Sequence, residues 1–115
     1  MIKIKRIYEQ PAKEDGFRIL VDRLWPRGIS KDRAKIDLWL REIGPSDDLR
    51  DWFSHDPKKW QGFKKKYEAE LNAKEELVNG IKQAEKDHGT VTLLYSAKDE
   101  EHNQAVALSI FLKRK

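Results

Sequence analysis

The chain has 115 residues, 38% hydrophobic and 38% charged, with a formal net charge of +4 from 24 basic and 20 acidic side chains. That length holds one modest core but not two domains with a cleft between them, so a pocket is expected at strand ends, on a face or between subunits. The absence of cysteine excludes disulfides, thiolate catalysis and thiolate metal sites, and no apolar stretch approaches a membrane span.

Met1-Ile2-Lys3-Ile4-Lys5 alternates as a half-buried strand does and lacks the apolar core of a signal peptide, so a cytoplasmic location is expected. Pro11 and Glu14-Asp15-Gly16 mark a loop. Residues 17–24 read as a central strand. Ile19 and Val21 point to one face and Leu20 and Leu24 to the other, which predicts cover on both sides. Trp25-Pro26-Arg27-Gly28 ends it, because Pro26 has no amide hydrogen and Gly28 permits a sharp turn. Ser30 can cap a short helix at Lys31-Asp32-Arg33. Residues 36–43 fit both periods: Ile36, Leu38 and Leu40 alternate, while Ile36, Trp39, Leu40 and Ile43 share a helical face.

Ser46 is a good N-cap, with Asp47 and Asp48 in the favourable first turn of a helix running to about Phe53. Asp56 can cap the next helix and Pro57 can take its first position. Trp60, Phe63, Tyr67 and Leu71 form one stripe, and Leu77/Val78, Ile81 and Ala84 a second, with Asn72 or Gly80 as places for a break and Gly89 as the cap. Residues 90–95 read as another strand. Asp99 is expected to cap a last helix, with Glu100 and Glu101 in its first turn, and the apolar run over residues 105–112 predicts deep packing. The expected fold is α/β, a small, largely parallel sheet covered by helices, in a single compact domain over residues 1–115. The stretch from Leu24 to Thr90 is long enough for a parallel crossover, whereas the pairing direction of the first strand is open.

In open parallel sheets ligands bind beyond the carboxyl ends of the strands. One such end carries Asp22, Arg23, Trp25 and Arg27; the other carries Tyr95, Ser96, Lys98 and Asp99, followed by His102 and Asn103. Asp22 shares its predicted face with Leu20, so it is a candidate buried carboxylate that needs a partner from Arg27, Arg50 or Lys98. The plainer reading is a salt bridge tying the turn to the sheet. Arg27 offers a planar fork for carboxylate or phosphate, against a tight turn with a core Trp. His55, His88 and His102 show no metal-ligand spacing, so no metal site is expected. A Ser96–His102–Asp99 triad would lie within seven residues, which makes its geometry hard to meet. GxGxxG, Walker and HExxH motifs are absent, and no cofactor is expected.

As a set, these segments resemble a known family. The run Ile19-Leu20-Val21-Asp22-Arg23-Leu24-Trp25-Pro26-Arg27-Gly28 is the most specific part. With it go Pro45-Ser46, Leu49-Arg50, Trp52-Phe53, His55-Asp56-Pro57, Tyr67-Glu68, Glu70-Leu71, Leu93-Leu94-Tyr95-Ser96-Ala97-Lys98-Asp99 and His102-Asn103 with Ala105. Together they are similar to the YeaO-like branch of the bacterial domain of unknown function family DUF488, over nearly the whole chain. The resemblance implies a compact α/β fold with a few-stranded sheet and no established activity. It also implies that longer relatives carry cysteines near the strand at residues 90–95. This chain has none, so thiol or metal chemistry does not carry over.

The leading expectation is a site for a small anionic or phosphorylated ligand at the strand ends, with catalysis as an open extension. The binding candidates are Asp22, Arg23, Trp25, Arg27, Arg50, His55, Tyr95, Ser96, His102 and Asn103, and the catalytic candidates among them are Asp22, Arg23, Arg27 and His102. The rival is a nucleic-acid-binding module, on the strength of Lys64-Lys65-Lys66 and the Lys113-Arg114-Lys115 tail. A third class is a protein-interaction domain using an exposed Trp39 or Trp52. No membrane partner is expected, and the oligomeric state is not legible.

Overall fold

In the computed structural model, which describes residues 1–114, the alternating and apolar runs become four short strands: β1 (Ile2–Arg6), β2 (Phe17–Leu20), β3 (Leu38–Trp39) and β4 (Val91–Tyr95). They form one sheet in the order β1-β4-β2-β3, with every neighbouring pair parallel. β4 is the spine: Val91 lies opposite both Ile2 and Phe17. All four strands therefore direct their carboxyl ends to one edge of the sheet. The first strand, whose direction was open, does not pair with β2. β4 lies between them, and residues 7–16 span it with a single 3-10 turn at Lys13–Asp15 instead of a helix.

The helices are α1 (Lys31–Ala34), α2 (Asp47–Phe53), α3 (Trp60–Asn72), α4 (Glu75–His88) and α5 (Gln104–Lys113). The two faces of the sheet are unequally covered. Ile19, Leu93 and Tyr95 pack with α2, α3, α4 and α5 in the larger core, through Phe53, Phe63, Tyr67, Leu71, Ile81, Leu108 and Leu112 among others. Leu20 and Leu94 face a smaller cluster with Ile7 and Ala34, closed by Trp25, Ile29, Ile36 and Trp39. The two-sided apolar pattern of the central strands has this cause. The Cα radius of gyration, 13.3 Å, is that of a compact body of this length.

Four local readings are changed or resolved. β2 ends at Leu20, not Leu24. The Val21 N–H still donates to Leu94 at 3.0 Å, but then the chain leaves the sheet, the Trp39 indole donates to the Asp22 carbonyl at 2.7 Å, and Leu24 is 69% exposed. The ambiguous residues 36–43 follow neither period for long: two residues pair as β3, and Arg41–Ile43 then form a 3-10 turn. The break between α3 and α4 falls just after Asn72, whereas Gly80 lies inside α4 facing open space and breaks nothing. Finally, Asp99 does not cap α5. The cap is Asn103, whose side-chain oxygen accepts the Val106 N–H at 3.0 Å while its amide donates to the Asp99 carbonyl at 2.9 Å. Asp99 instead closes a turn of its own by accepting the N–H groups of Glu101 and His102.

Candidate functional site

A cleft of about 920 Å³ opens at the carboxyl ends of β1, β2 and β4. Its floor is the gap between the ends of β2 and β4. Asp22 bridges that gap: its carboxylate accepts the Ser96 N–H at 3.1 Å and a hydrogen bond from the Gln104 amide, with the Ser96 hydroxyl also against it. Desolvation outweighs these bonds and the nearby Arg50 charge, and pushes the Asp22 carboxyl above its ordinary value. None of Arg27, Arg50 or Lys98 forms an ion pair with it; neutral donors hold it instead. Val21 still packs on the Ile19 side, so the contact of Asp22 with Gln104 of α5 shows that strand alternation does not carry past Val21.

The rim is built from three loops. At the end of β1, the Arg6 guanidinium donates to the carbonyls of Ala97 at 2.9 Å and Ser96 at 3.2 Å, and lies over the Tyr8 ring. The Tyr8 hydroxyl donates to the Arg27 carbonyl at 2.7 Å, which ties the loop after β2 to the loop after β1. Trp25 is pinned by its indole N–H on the Ile29 carbonyl at 2.8 Å and by edge-on contact with Trp39. The backbone around Arg27 is thus anchored on both sides, while its guanidinium has no hydrogen bond or ion pair among the described residues.

The opposite rim is α2 and the turn after it. Ser46 caps α2 by accepting the Leu49 N–H, and Glu70 of α3 grips Ser46 through both its N–H at 2.8 Å and its hydroxyl at 2.6 Å. This places Arg50 over the cleft, with only a 3.4 Å contact to the exposed Asp47. The chain then turns through Ser54 and His55, both left-handed at φ 46° and 55°, a conformation uncommon outside glycine. The turn sets His55 at the rim, with Phe53 and Phe63 as the apolar wall. Arg23 points away from Asp22 and donates to the Pro45 carbonyl at 2.6 Å. His102 leans edge-on against Trp60, with its Nδ1 2.9 Å from Asp99. Hydrogen bonds to the Asp99 carboxylate from the Glu101 N–H and from His102 hold that group below the usual aspartate value. The drawn triad is not assembled, because the Ser96 hydroxyl engages Asp22.

Of the sequence candidates, the fold brings Asp22, Arg23, Trp25, Arg27, Arg50, His55, Ser96, His102 and Asn103 to this cleft. Tyr95 does not line it: its ring is 2% exposed in the larger core, and burial pushes its phenol up. Arg6, Tyr8 and Gln104 were missed. The parallel direction of β1 would have revealed the first two, and the true start of α5 the third. Among the described residues, no group of three or more His, Cys, Asp or Glu is placed to hold a metal ion, and no helix is long and apolar enough to cross a membrane.

The family model described as the inactive DUF488-N3 subclade matches residues 1–115. The chain belongs to this DUF488 subclade. A relative in Escherichia coli K12, the uncharacterized protein YeaO, is 41% identical over 112 residues, covering 97% of this chain and 96% of its own. Uncharacterized proteins of Mycobacterium bovis and Mycobacterium tuberculosis, Mb3100c and Rv3073c, are each 39% identical over 71 residues, 62% of this chain and 60% of theirs. No solved structure matches. The DUF488 membership agrees with the resemblance carried by the segment from Ile19 to Gly28 and extends it to the whole chain.

Proposed function

We propose that this DUF488 chain binds a small anionic molecule, phosphorylated or carboxylated, in the cleft at the strand ends. The observation that carries the reading is a charge imbalance. Among the described residues, Arg6, Arg23, Arg27, Arg50 and Lys98 line the cleft against only two carboxylates, Asp22 and Asp51. The cations divide into two kinds. Arg6 and Arg23 are consumed in holding backbone carbonyls and keep the loops in place. Arg27 is uncommitted and Arg50 nearly so, and a guanidinium fork suits the oxygens of phosphate or carboxylate.

Binding without turnover is the form of this reading that the site favours. Ser96 is occupied by Asp22, His102 is held by Asp99, and the family description is of an inactive subclade. Nucleic acid is the rival occupant; its binding would fall steeply with salt. A thermal-shift panel of inorganic phosphate, sugar phosphates, nucleotides and short carboxylates tests the proposal, because a ligand that binds only the folded state raises the melting temperature by mass action. The expected result is a concentration-dependent rise with at least one anion, weakened in Arg27→Ala. No rise with any of them contradicts it.

A further inference from the structure

Asp22 is an anomaly in a cleft rich in cations. Five cationic side chains line the same space, yet none is within ion-pair distance of it among the described residues. Each nearby guanidinium is directed elsewhere: Arg23 to the Pro45 carbonyl at 2.6 Å, Arg6 to the carbonyls of Ala97 and Ser96, and Arg50 toward Asp47. The partners that Asp22 has, Ser96 and Gln104, are neutral. An ionised carboxylate offers about four acceptor positions; the Ser96 N–H, the Ser96 hydroxyl and the Gln104 amide take three of them, and Asp22 is among the residues that line the cleft. A charge taken partly out of water without a counter-charge is costly, and burial accordingly disfavours its ionised form. A ligand that brings a cation to this floor removes that cost.

Resting on the reading of the cleft as an anion site, we infer that the ligand is a small zwitterion. Its phosphate or carboxylate lies at Arg27 and Arg50 on the rim, and a primary ammonium group pairs with Asp22 on the floor. The apolar wall of Phe53 and Phe63 suits a short alkyl link between the two charges. Opposite charges at the two ends also explain why the cleft keeps one carboxylate at its base while its rim is cationic. A plain anion would be repelled there, so Asp22 acts as a selectivity element as well as an anchor.

The test is a matched series measured by isothermal titration on the full chain. Phosphoethanolamine and 3-aminopropyl phosphate are compared with ethyl and propyl phosphate, and β-alanine and γ-aminobutyrate with propionate and butyrate. At least one amine-bearing member is expected to bind about tenfold tighter than its amine-free counterpart, the scale of one charge-assisted hydrogen bond. Asp22→Asn is expected to erase that difference while the amine-free anion binds as well or better, and Arg27→Ala to weaken both members. Equal binding within every pair by the wild-type chain overturns the zwitterion and leaves the anion site standing, and this comparison does not depend on any variant folding. Amine preference that survives intact in a folded Asp22→Asn overturns the role of Asp22. If neither member of any pair binds, the anion reading itself fails and the zwitterion with it.

Discussion

The Asp22 carboxylate, just past β2, accepts the backbone N–H of Ser96, just past β4, at 3.1 Å. The bond joins the two central strands at their carboxyl ends across 74 positions of sequence. Gln104, the first residue of α5, donates to the same carboxylate, so a sheet end and a helix start meet on one charge. Whatever enters the cleft meets a group that is also wired into the fold, and the stability and binding roles of Asp22 must be separated.

The separation is by pH and by Asp22→Asn. Burial raises the folded-state value of Asp22 above the ordinary 3.8, so between 3.8 and that raised value the folded chain binds more protons than the unfolded one. Stability from this group therefore falls as pH rises through that window. Asparagine removes the ionisation and keeps an oxygen for the Ser96 N–H. Urea denaturation at pH 7 is expected to show Asp22→Asn as stable as wild type within about 1 kcal/mol, or more stable. A loss of about 2 kcal/mol or more would make Asp22 a structural strut.

Asp15 should behave in the opposite way. It is buried against Arg18 at 2.5 Å and Lys5 at 3.1 Å, and its backbone carbonyl accepts the Thr92 hydroxyl. Burial opposes its ionisation, but the Ala12 N–H, Lys5 and Arg18 outweigh it and hold the carboxyl below its ordinary 3.8. Its stabilisation is present above pH 3.8 and lost as pH falls through the lower folded value. Asp15→Asn leaves two cations uncompensated and is expected to cost about 3–5 kcal/mol by chemical denaturation at pH 7. A change under about 1 kcal/mol would contradict this account of the Lys5–Asp15–Arg18 cluster.

Arg27 and Asp22 line the same cleft without touching. Arg27→Ala should leave stability within about 0.5 kcal/mol of wild type, since the side chain is exposed and unpartnered. The double variant with Asp22→Asn should be additive within about 0.5 kcal/mol in denaturation. A coupling of about 1 kcal/mol or more in the free protein would mean that the two side chains meet.

The architecture was legible because its signals are redundant. Ile19 and Leu20 in β2, and Leu93 and Leu94 in β4, put buried apolar side chains on both faces of the sheet, and the stripe from Trp60 to Leu71 keeps a strict helical period. Ser30, Ser46 and Gly89 all sit at helix ends as their chemistry requires. The misses have physical causes as well. Asp99 and Asn103 are both good caps four residues apart, and only the tertiary position of α5 chooses between them. Leu24 fits the strand pattern, but the Trp39 indole occupies the Asp22 carbonyl and the ladder stops. Arg6 could not be assigned to the cleft while the direction of β1 was open, because the same residue in an antiparallel strand would lie at the far edge of the sheet.

The Asp99–His102 contact gives a local check on the turn before α5. The Asp99 carboxyl should titrate below 3.8 by NMR, with the Glu101 N–H and the His102 side chain as its main support and the His102 N–H behind them. Its contribution to stability is present above 3.8 and lost as pH falls through the folded value. His102→Ala should move the midpoint part of the way back up, because the backbone bonds remain. An unchanged midpoint would show that the ring makes no contact in solution.

The central claim is that the uncommitted guanidinium groups of Arg27 and Arg50 form an anion site. Isothermal titration of inorganic phosphate into wild type and into Arg27→Ala/Arg50→Ala, at one fixed low salt concentration, addresses it most directly. The account predicts saturable binding by wild type and a loss of at least about tenfold in the double variant, with its fold intact by circular dichroism. Equal binding by the two proteins, or none by wild type, would contradict it.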